Sequence, residues 1–123
     1  MTQHLPHTVT VPVLVVKSLE IEEPDWCAGS HSGHPESKVD LVHYGPEHAI
    51  GAGDFDLFRA MLAQNPYADR GTTDVVLYVE QQDLSGSYTP DEVEELADTL
   101  VEAAARLRAL ARELAAILAR GDQ

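Results

Sequence analysis

The sequence predicts an α+β fold, in which a three- to four-stranded antiparallel sheet is packed by one long C-terminal helix and a loop is stapled by a metal. Three observations indicate this fold: alternating apolar residues over 8–21, a β-branched run over 75–79, and an amphipathic helical pattern over 89–120. At 123 residues with 44% apolar side chains, the chain is expected to be one domain, 1–123. Residues 8–81 would supply the sheet and a Cys/His loop.

The strands are predicted from period-two alternation. In residues 8–21 the apolar side chains fall mostly on odd positions, and Pro12 favours a sheet edge because it lacks an N–H. Residues 39–43 alternate as well and predict a short second strand that presents His43 inward. Residues 55–64 fit both a helical stripe and a strand of one parity, so periodicity leaves their structure open.

The C-terminal helix is predicted from its start, its end and its seam. Thr89-Pro90-Asp91-Glu92 combines an N-cap, a first-turn proline and a capping-box glutamate, and Gly121 follows the last turn. Acidic residues concentrate in the first half and arginines in the second, which complements the helix dipole. With Val93 at heptad position a, an apolar seam continues over about four heptads.

The seam is longer than a small sheet can cover, because the predicted helix, 89–120, is about 46 Å long. Its second half is therefore expected to bind a second copy of the chain, with two helices crossing antiparallel on a two-fold axis. Capture of a different protein is the alternative. The predicted partner-binding residues are Leu100, Leu107, Leu110, Leu114, Ile117 and Leu118.

One loop gathers the residue types that bind zinc. Cys27, His31 and His34 would share a face if the loop takes a helical turn, and His43 could close a four-ligand structural site. Asp25 is a possible substitute ligand. The alternatives are a buried apolar cysteine, a core histidine and a solvated polar loop. Three carboxylates could orient the imidazoles: Glu22, Glu23 and Asp40.

Charge and the absence of targeting patterns limit the function. With 21 acidic and 8 basic side chains the formal net charge is −13, so direct nucleic-acid binding is not expected. The acidic surface could instead attract a basic protein partner, or imitate nucleic acid and inhibit a DNA-binding protein. No secretory signal or membrane-spanning run is found, so cytoplasmic residence is expected.

No sequence motif indicates catalysis. His-Glu-x-x-His, a glycine-rich phosphate loop and a Ser/His/Asp signature are all missing. The expected function is therefore non-catalytic interaction or regulation, with no catalytic residue assigned. The alternative is a small zinc enzyme in which Cys27, His31 and His43 share the metal with a water, and Glu36 or Glu47 acts as the general base.

The residues Trp26-Cys27, His31, and His43 with Gly45 shortly after it resemble a family of small uncharacterised actinobacterial, Streptomyces-like proteins. Its members combine this motif with an alanine-rich C-terminal helix that opens with Thr-Pro-x-Glu. The resemblance covers about residues 9 to 118. It implies that Cys27, His31 and His43 are the preferred ligands and that residues 55–64 form a strand, and it implies no activity.

Overall fold

The computed structural model of the chain describes residues 7–29, 31, 33–82 and 84–121. Within these residues, four strands form one antiparallel sheet, and a single long helix packs against it. The predicted fold class is therefore confirmed. The elements in chain order are a 3-10 turn (Lys38–Asp40), β1 (His43–Tyr44), β2 (His48–Ala52), β3 (Phe55–Gln64), β4 (Val76–Gln81) and α1 (Pro90–Ala119).

β3 is the central strand of the sheet. β1 and β2 follow one another along one side of β3, where His43 lies opposite Gln64 and Ile50 lies opposite Phe58. β4 pairs along the other side of β3. Because β3 has neighbours on both sides, its backbone is satisfied by two ladders, and this tertiary pairing makes 55–64 a strand, as the family resemblance implied.

A glycine permits the close approach of β2 to β3. The register shifts between Ile50 and Gly51, and Gly51 has a φ of 155°. A Cβ at this position would lie 2.1 Å from the backbone oxygen of Phe55. Only glycine fits this irregularity, which adjusts the ladder beside the main part of the core.

The prediction of a long strand over residues 8–21 is wrong. This segment has no regular secondary structure and pairs with no other strand among the described residues. Alternation shows that a segment suits a strand, but a strand must also pair with a neighbouring strand, and this segment pairs with none among the described residues. Seven of its apolar side chains are between 54% and 100% exposed: Val9, Val11, Val13, Leu14, Val15, Val16 and Leu19.

The second predicted strand is much shorter than expected. Residues 38–40 form a 3-10 turn, and only His43–Tyr44 pair with β3. The inward placement of His43 is nevertheless confirmed, since this side chain is 2% exposed. β2 has little β-branched character and was not predicted.

The helix forms as its cap predicts. Thr89 Oγ1 accepts a hydrogen bond from the Glu92 backbone N–H at 3.3 Å, and the Glu92 carboxylate accepts one from the Thr89 N–H at 2.9 Å. This reciprocal pair satisfies two N–H groups that have no partner within the helix. α1 ends at Ala119, and Gly121 follows with a φ of 73°.

The described core has two parts along the helix. The main core lies under the first two thirds of α1 and contains Ile50, Phe55, Leu57, Ala60, Ala103 and Leu110. The end core lies under the last turns and contains Leu62, Val75 and Ile117. Trp26, Leu77 and Leu114 pack against the end core.

Candidate metal centre

Four side chains meet where the first long loop crosses the end of the sheet. Glu23, Cys27 and His31 come from the loop, and His43 comes from β1. One ligand atom from each residue lies within 4.8 Å of the others. This group could hold a metal ion, because it combines a thiol, two imidazoles and a carboxylate around one point.

The distances within the group are close to those of a coordination sphere. Cys27 Sγ lies 3.5 Å from Glu23 Oε1, 3.7 Å from His31 Nε2 and 3.7 Å from His43 Nδ1. Ligands bound at 2.0–2.3 Å around a tetrahedral zinc would lie about 3.3–3.8 Å apart. His31 Nε2 and Glu23 Oε1 lie closer together, in a 2.6 Å hydrogen bond that a metal would replace.

The loop is shaped by backbone hydrogen bonds and one glycine. The Cys27 N–H donates to the Pro24 oxygen at 3.0 Å, and the Ala28 N–H donates to the Tyr44 oxygen at 2.8 Å, which attaches the loop to β1. Gly29 has a φ of 78°, and its N–H donates to Cys27 Sγ at 3.4 Å.

His43 is the buried member of the group. Burial is the main cause that lowers the pKa of His43, the nearby His31 lowers it further, and Glu23 acts in the opposite direction. The rings of His31 and His43 meet edge to face, with centroids 5.2 Å apart. The lowered pKa keeps His43 in the neutral form, which is the one that ligates metals.

The ligand set differs from the spacing-based prediction at one position. Cys27, His31 and His43 come together as expected, but His34 lies outside the group and Glu23 takes its place. The described residues of this stretch, 27–29, 31, 33 and 34, carry no helical assignment, and Gly29 has a positive φ that a helical turn does not use. The sequence had suggested Glu23 only as a residue that orients an imidazole.

Trp26 joins this group to the end core. It precedes Cys27, and its side chain packs against the end core, which includes Ile117 of α1. Gly45 lies close beneath it, since a Cβ on Gly45 would be 3.2 Å from the Trp26 backbone oxygen. The position of the loop is thereby coupled to the last turns of the helix.

An acidic cleft of about 600 Å³ opens beside the group, and Glu23 and His43 are both part of its wall. Neither carboxylate suggested as a general base lines this cleft: Glu36 is exposed, and Glu47 lies 3.3 Å from the Arg59 guanidinium. Further carboxylates in the wall are Glu20, Glu22 and Asp25.

The predicted partner-binding residues of α1 fall into two sets. Leu110 and Ile117 are buried in the chain's own core, so they are not available to a partner. Leu107 and Leu114 are half-buried, while Leu100 and Leu118 are exposed. The prediction is corrected for these two residues because the sheet buries the side chains at heptad position d of α1. It covers the side chains at position a only in part.

The architecture and the ligand group define a small α+β protein with a candidate metal centre built from a loop and a strand. The chain belongs to the family described as Domain of unknown function (DUF6907), which matches residues 8–116. No curated protein and no solved structure matches the chain. In the described part of the chain, no helix has the length and apolar character to cross a membrane.

Proposed function

We propose that this chain is a non-catalytic interaction protein whose long loop is fastened to the sheet by a structural zinc ion. The ligands are Glu23, Cys27, His31 and His43. The observation that supports this function is that four possible ligand atoms, three from the loop and one from β1, lie within 4.8 Å of one another.

The donor set favours zinc over the common hard cations. Calcium and magnesium prefer oxygen ligands, whereas a thiolate with two imidazoles suits zinc. Four protein ligands fill a tetrahedral sphere and leave no position for a substrate, which is typical of a structural site. A bound ion would also keep Glu23 and His31 together without the hydrogen bond that they now share.

A structural role is consistent with the thin packing at this end of the sheet. Small domains commonly supplement a limited apolar core with a metal. The loop residues 22–29 contribute few buried side chains, and Trp26 is their main contact with the end core. Zinc would supply the fixed geometry that apolar burial does not supply here.

The test is the zinc content of untagged protein purified without added metal, measured for matched variants. We expect about one zinc per chain in the wild type and in His34→Ala, and a large loss in Cys27→Ser and His31→Ala. Glu23→Gln should weaken binding about 10-fold or more, whereas Glu22→Gln should leave it unchanged. The two controls remove a histidine and a carboxylate of the same loop that lie outside the ligand group.

Two results would overturn this proposal. Zinc retained in Cys27→Ser and His31→Ala would place the metal elsewhere. Zinc lost from Cys27→Ser with no change in thermal stability would argue against a structural role and favour the enzyme alternative. A cobalt titration of His31→Ala and Glu23→Gln, which both keep Cys27, reports weakened metal binding through the thiolate absorption of the single cysteine. Circular dichroism of each variant separates a lost ligand from a misfolded chain.

We also propose that the uncovered side of α1 binds the same helix of a second copy. Its apolar residues include Leu100, which is 44% exposed, and Val101, which is 71% exposed. An antiparallel crossing would align the acidic first half of one helix with the arginines in the second half of the other, so the charges are complementary. This arrangement is self-complementary about a two-fold axis.

Sedimentation equilibrium tests the helix contact. Leu100→Glu should weaken dimerisation at least tenfold, because it buries an unpaired charge in the seam. Ala105→Glu changes the charge equally at heptad position f, which lies on the opposite side, and should have no effect. A dimer dissociation constant that is the same in Leu100→Glu as in the wild type would exclude this contact.

A further inference from the structure

The most exposed apolar segment of the described chain is at its N-terminal end. Residues 8–19 are rich in valine and threonine, which favour strands, and Leu14 is fully exposed. No backbone hydrogen bond from this segment is found within the described residues. The family match nevertheless begins at residue 8, so the segment is part of the domain and not an appended tail.

One edge of the sheet is already covered. On the β1 and β2 side, the Tyr44 oxygen accepts from the Ala28 N–H at 2.8 Å. The Ala49 oxygen accepts from Arg106 Nη1 at 3.0 Å. The loop and the helix therefore use outward-facing backbone groups of this edge, which leaves little room for another strand.

The opposite edge is open. β4 pairs with β3 on one side only, and its outer side makes no hydrogen bond with any residue in the described part of the chain. Its sequence, Val-Leu-Tyr-Val-Glu-Gln, contains no proline or lysine to discourage pairing. Val76, Tyr78 and Val79 are each 40–46% exposed. This edge has the features of a site for strand addition.

We propose that residues 8–19 of one copy add a strand to the β4 edge of a second copy, and that the exchange is reciprocal. Each copy would donate one segment and receive one, as two-fold symmetry requires. The pairing would cover two surfaces that a single copy leaves exposed. Pro12 fits this role, because the added strand becomes the new edge, where a missing N–H is tolerated.

Charge and position favour a second copy as the occupant. The chain has a net charge of −13, yet the segment 8–19 contains a single charged side chain, Lys17, so it can approach another copy without strong repulsion. Glu80, at the end of the receiving strand, offers it an opposite charge. In a single chain the segment stays off its own sheet, with its apolar side chains at least 54% exposed.

The place where the segment 8–19 leaves the domain also suits a strand exchange between two copies. Ile21 and Gln64 line the same cleft, and the neighbouring Ala63 lies opposite Val76, the first residue of β4. The segment thus leaves the domain at the end of the sheet where β4 begins. A two-fold axis near this end would bring each segment close to the β4 edge of the other copy.

The test uses the full chain and two variants with the same charge change. Val13→Asp places a carboxylate among the odd-numbered apolar residues, whereas Thr10→Asp places it on the opposite side of the strand. Both positions are exposed in the single chain, so folding should be unaffected. By sedimentation equilibrium, we expect Val13→Asp to weaken dimerisation at least tenfold and Thr10→Asp to leave it nearly unchanged.

Hydrogen exchange measured over a range of protein concentrations distinguishes the possible occupants. We expect amide protection in residues 9–19 and 76–81 to rise together as the dimer forms. Protection that is independent of concentration would mean that the segment pairs with its own β4 edge, and would overturn the proposal. So would a monomer at all concentrations, or a dimer that responds to Leu100→Glu but not to Val13→Asp.

Discussion

The two ends of the sheet differ in the side chains that they bring together. At the β2 end, six buried apolar side chains form the main core, and Leu57 is completely inaccessible. At the β1 end, the described end core has three buried apolar side chains, and the Glu23–Cys27–His31–His43 group lies beside it. Polar ligands thus gather where apolar burial is smallest, which is the arrangement expected if a metal supplements a thin core.

The largest difference between the two ends should follow from removing the metal. Chelation of the zinc-loaded protein should lower its stability by about 4 kcal/mol if the free metal had been about 1,000 times the dissociation constant. Trp26 is the single tryptophan and packs on the end core, so its emission should shift to longer wavelength. Thermal unfolding and fluorescence with and without chelator measure both effects.

The matched control for chelation is His31→Ala, which should already resemble the metal-free protein and should not respond to chelator. Amide exchange should increase near Ile117 and much less near Ala103. Equal loss of protection at both sites would show that the two ends are not independently stabilised.

A substitution in the main core should lower the stability of the protein without changing its zinc content. Leu57→Ala should destabilise the protein by about 3 kcal/mol, because it leaves a cavity at a fully buried site. Its zinc content should remain that of the wild type, as measured by elemental analysis alongside urea unfolding. Val39→Ala, at an exposed position of the 3-10 turn, should cost less than about 0.5 kcal/mol. Loss of zinc from Leu57→Ala would contradict the separation of the two ends.

The smallest effect is expected at the start of α1, next to the main core. The backbone hydrogen bond from Thr89 is the main cause that lowers the pKa of Glu92 below its ordinary value of 4.5, and the Thr89 side chain contributes as well. A lowered pKa in the folded state stabilises the protein above pH 4.5, and this contribution declines as the pH falls below that value.

The capping contribution can be measured by comparing Glu92→Gln with the wild type between pH 3 and pH 7. The difference in unfolding free energy should be largest near neutrality and should shrink in acid, with or without metal. The control is Glu94→Gln, which removes a carboxylate two residues after Glu92 and outside the capping box. A difference that grows in acid would contradict this role of Glu92.

Sequence patterns predicted an element correctly when everything that stabilises the element lies within its own residues. The helix was predictable because the Thr89 cap and the heptad seam are encoded within the helix itself. β3 could be either a strand or a helix from its own residues, and only pairing on both sides decides it. Residues 8–21 show the limit most clearly, since the strongest alternation in the chain forms no strand without a partner edge.

Three of the four residues in the candidate metal group could be predicted from the sequence, and the fourth could not. Cys27, His31 and His43 are rare side chains, so their proximity in the sequence was informative. Glu23 is one of 21 acidic residues, and no spacing rule selects it from the others. The prediction that included His34 assumed a helical turn through the loop, whereas Gly29 has a φ of 78° and His34 lies outside the group.

The attachment of the loop to the strand has a consequence for the unfolded chain. Cys27 and His43 are 16 residues apart, and an ion joining them would close a loop that the unfolded chain keeps open. A covalent cross-link over about 15 residues lowers the entropy of the unfolded state by an amount worth about 3 kcal/mol. A zinc cross-link would do so with a single cysteine and without an oxidant. Its formation would depend on the free metal concentration, so the same loop could be closed or released without breaking a covalent bond.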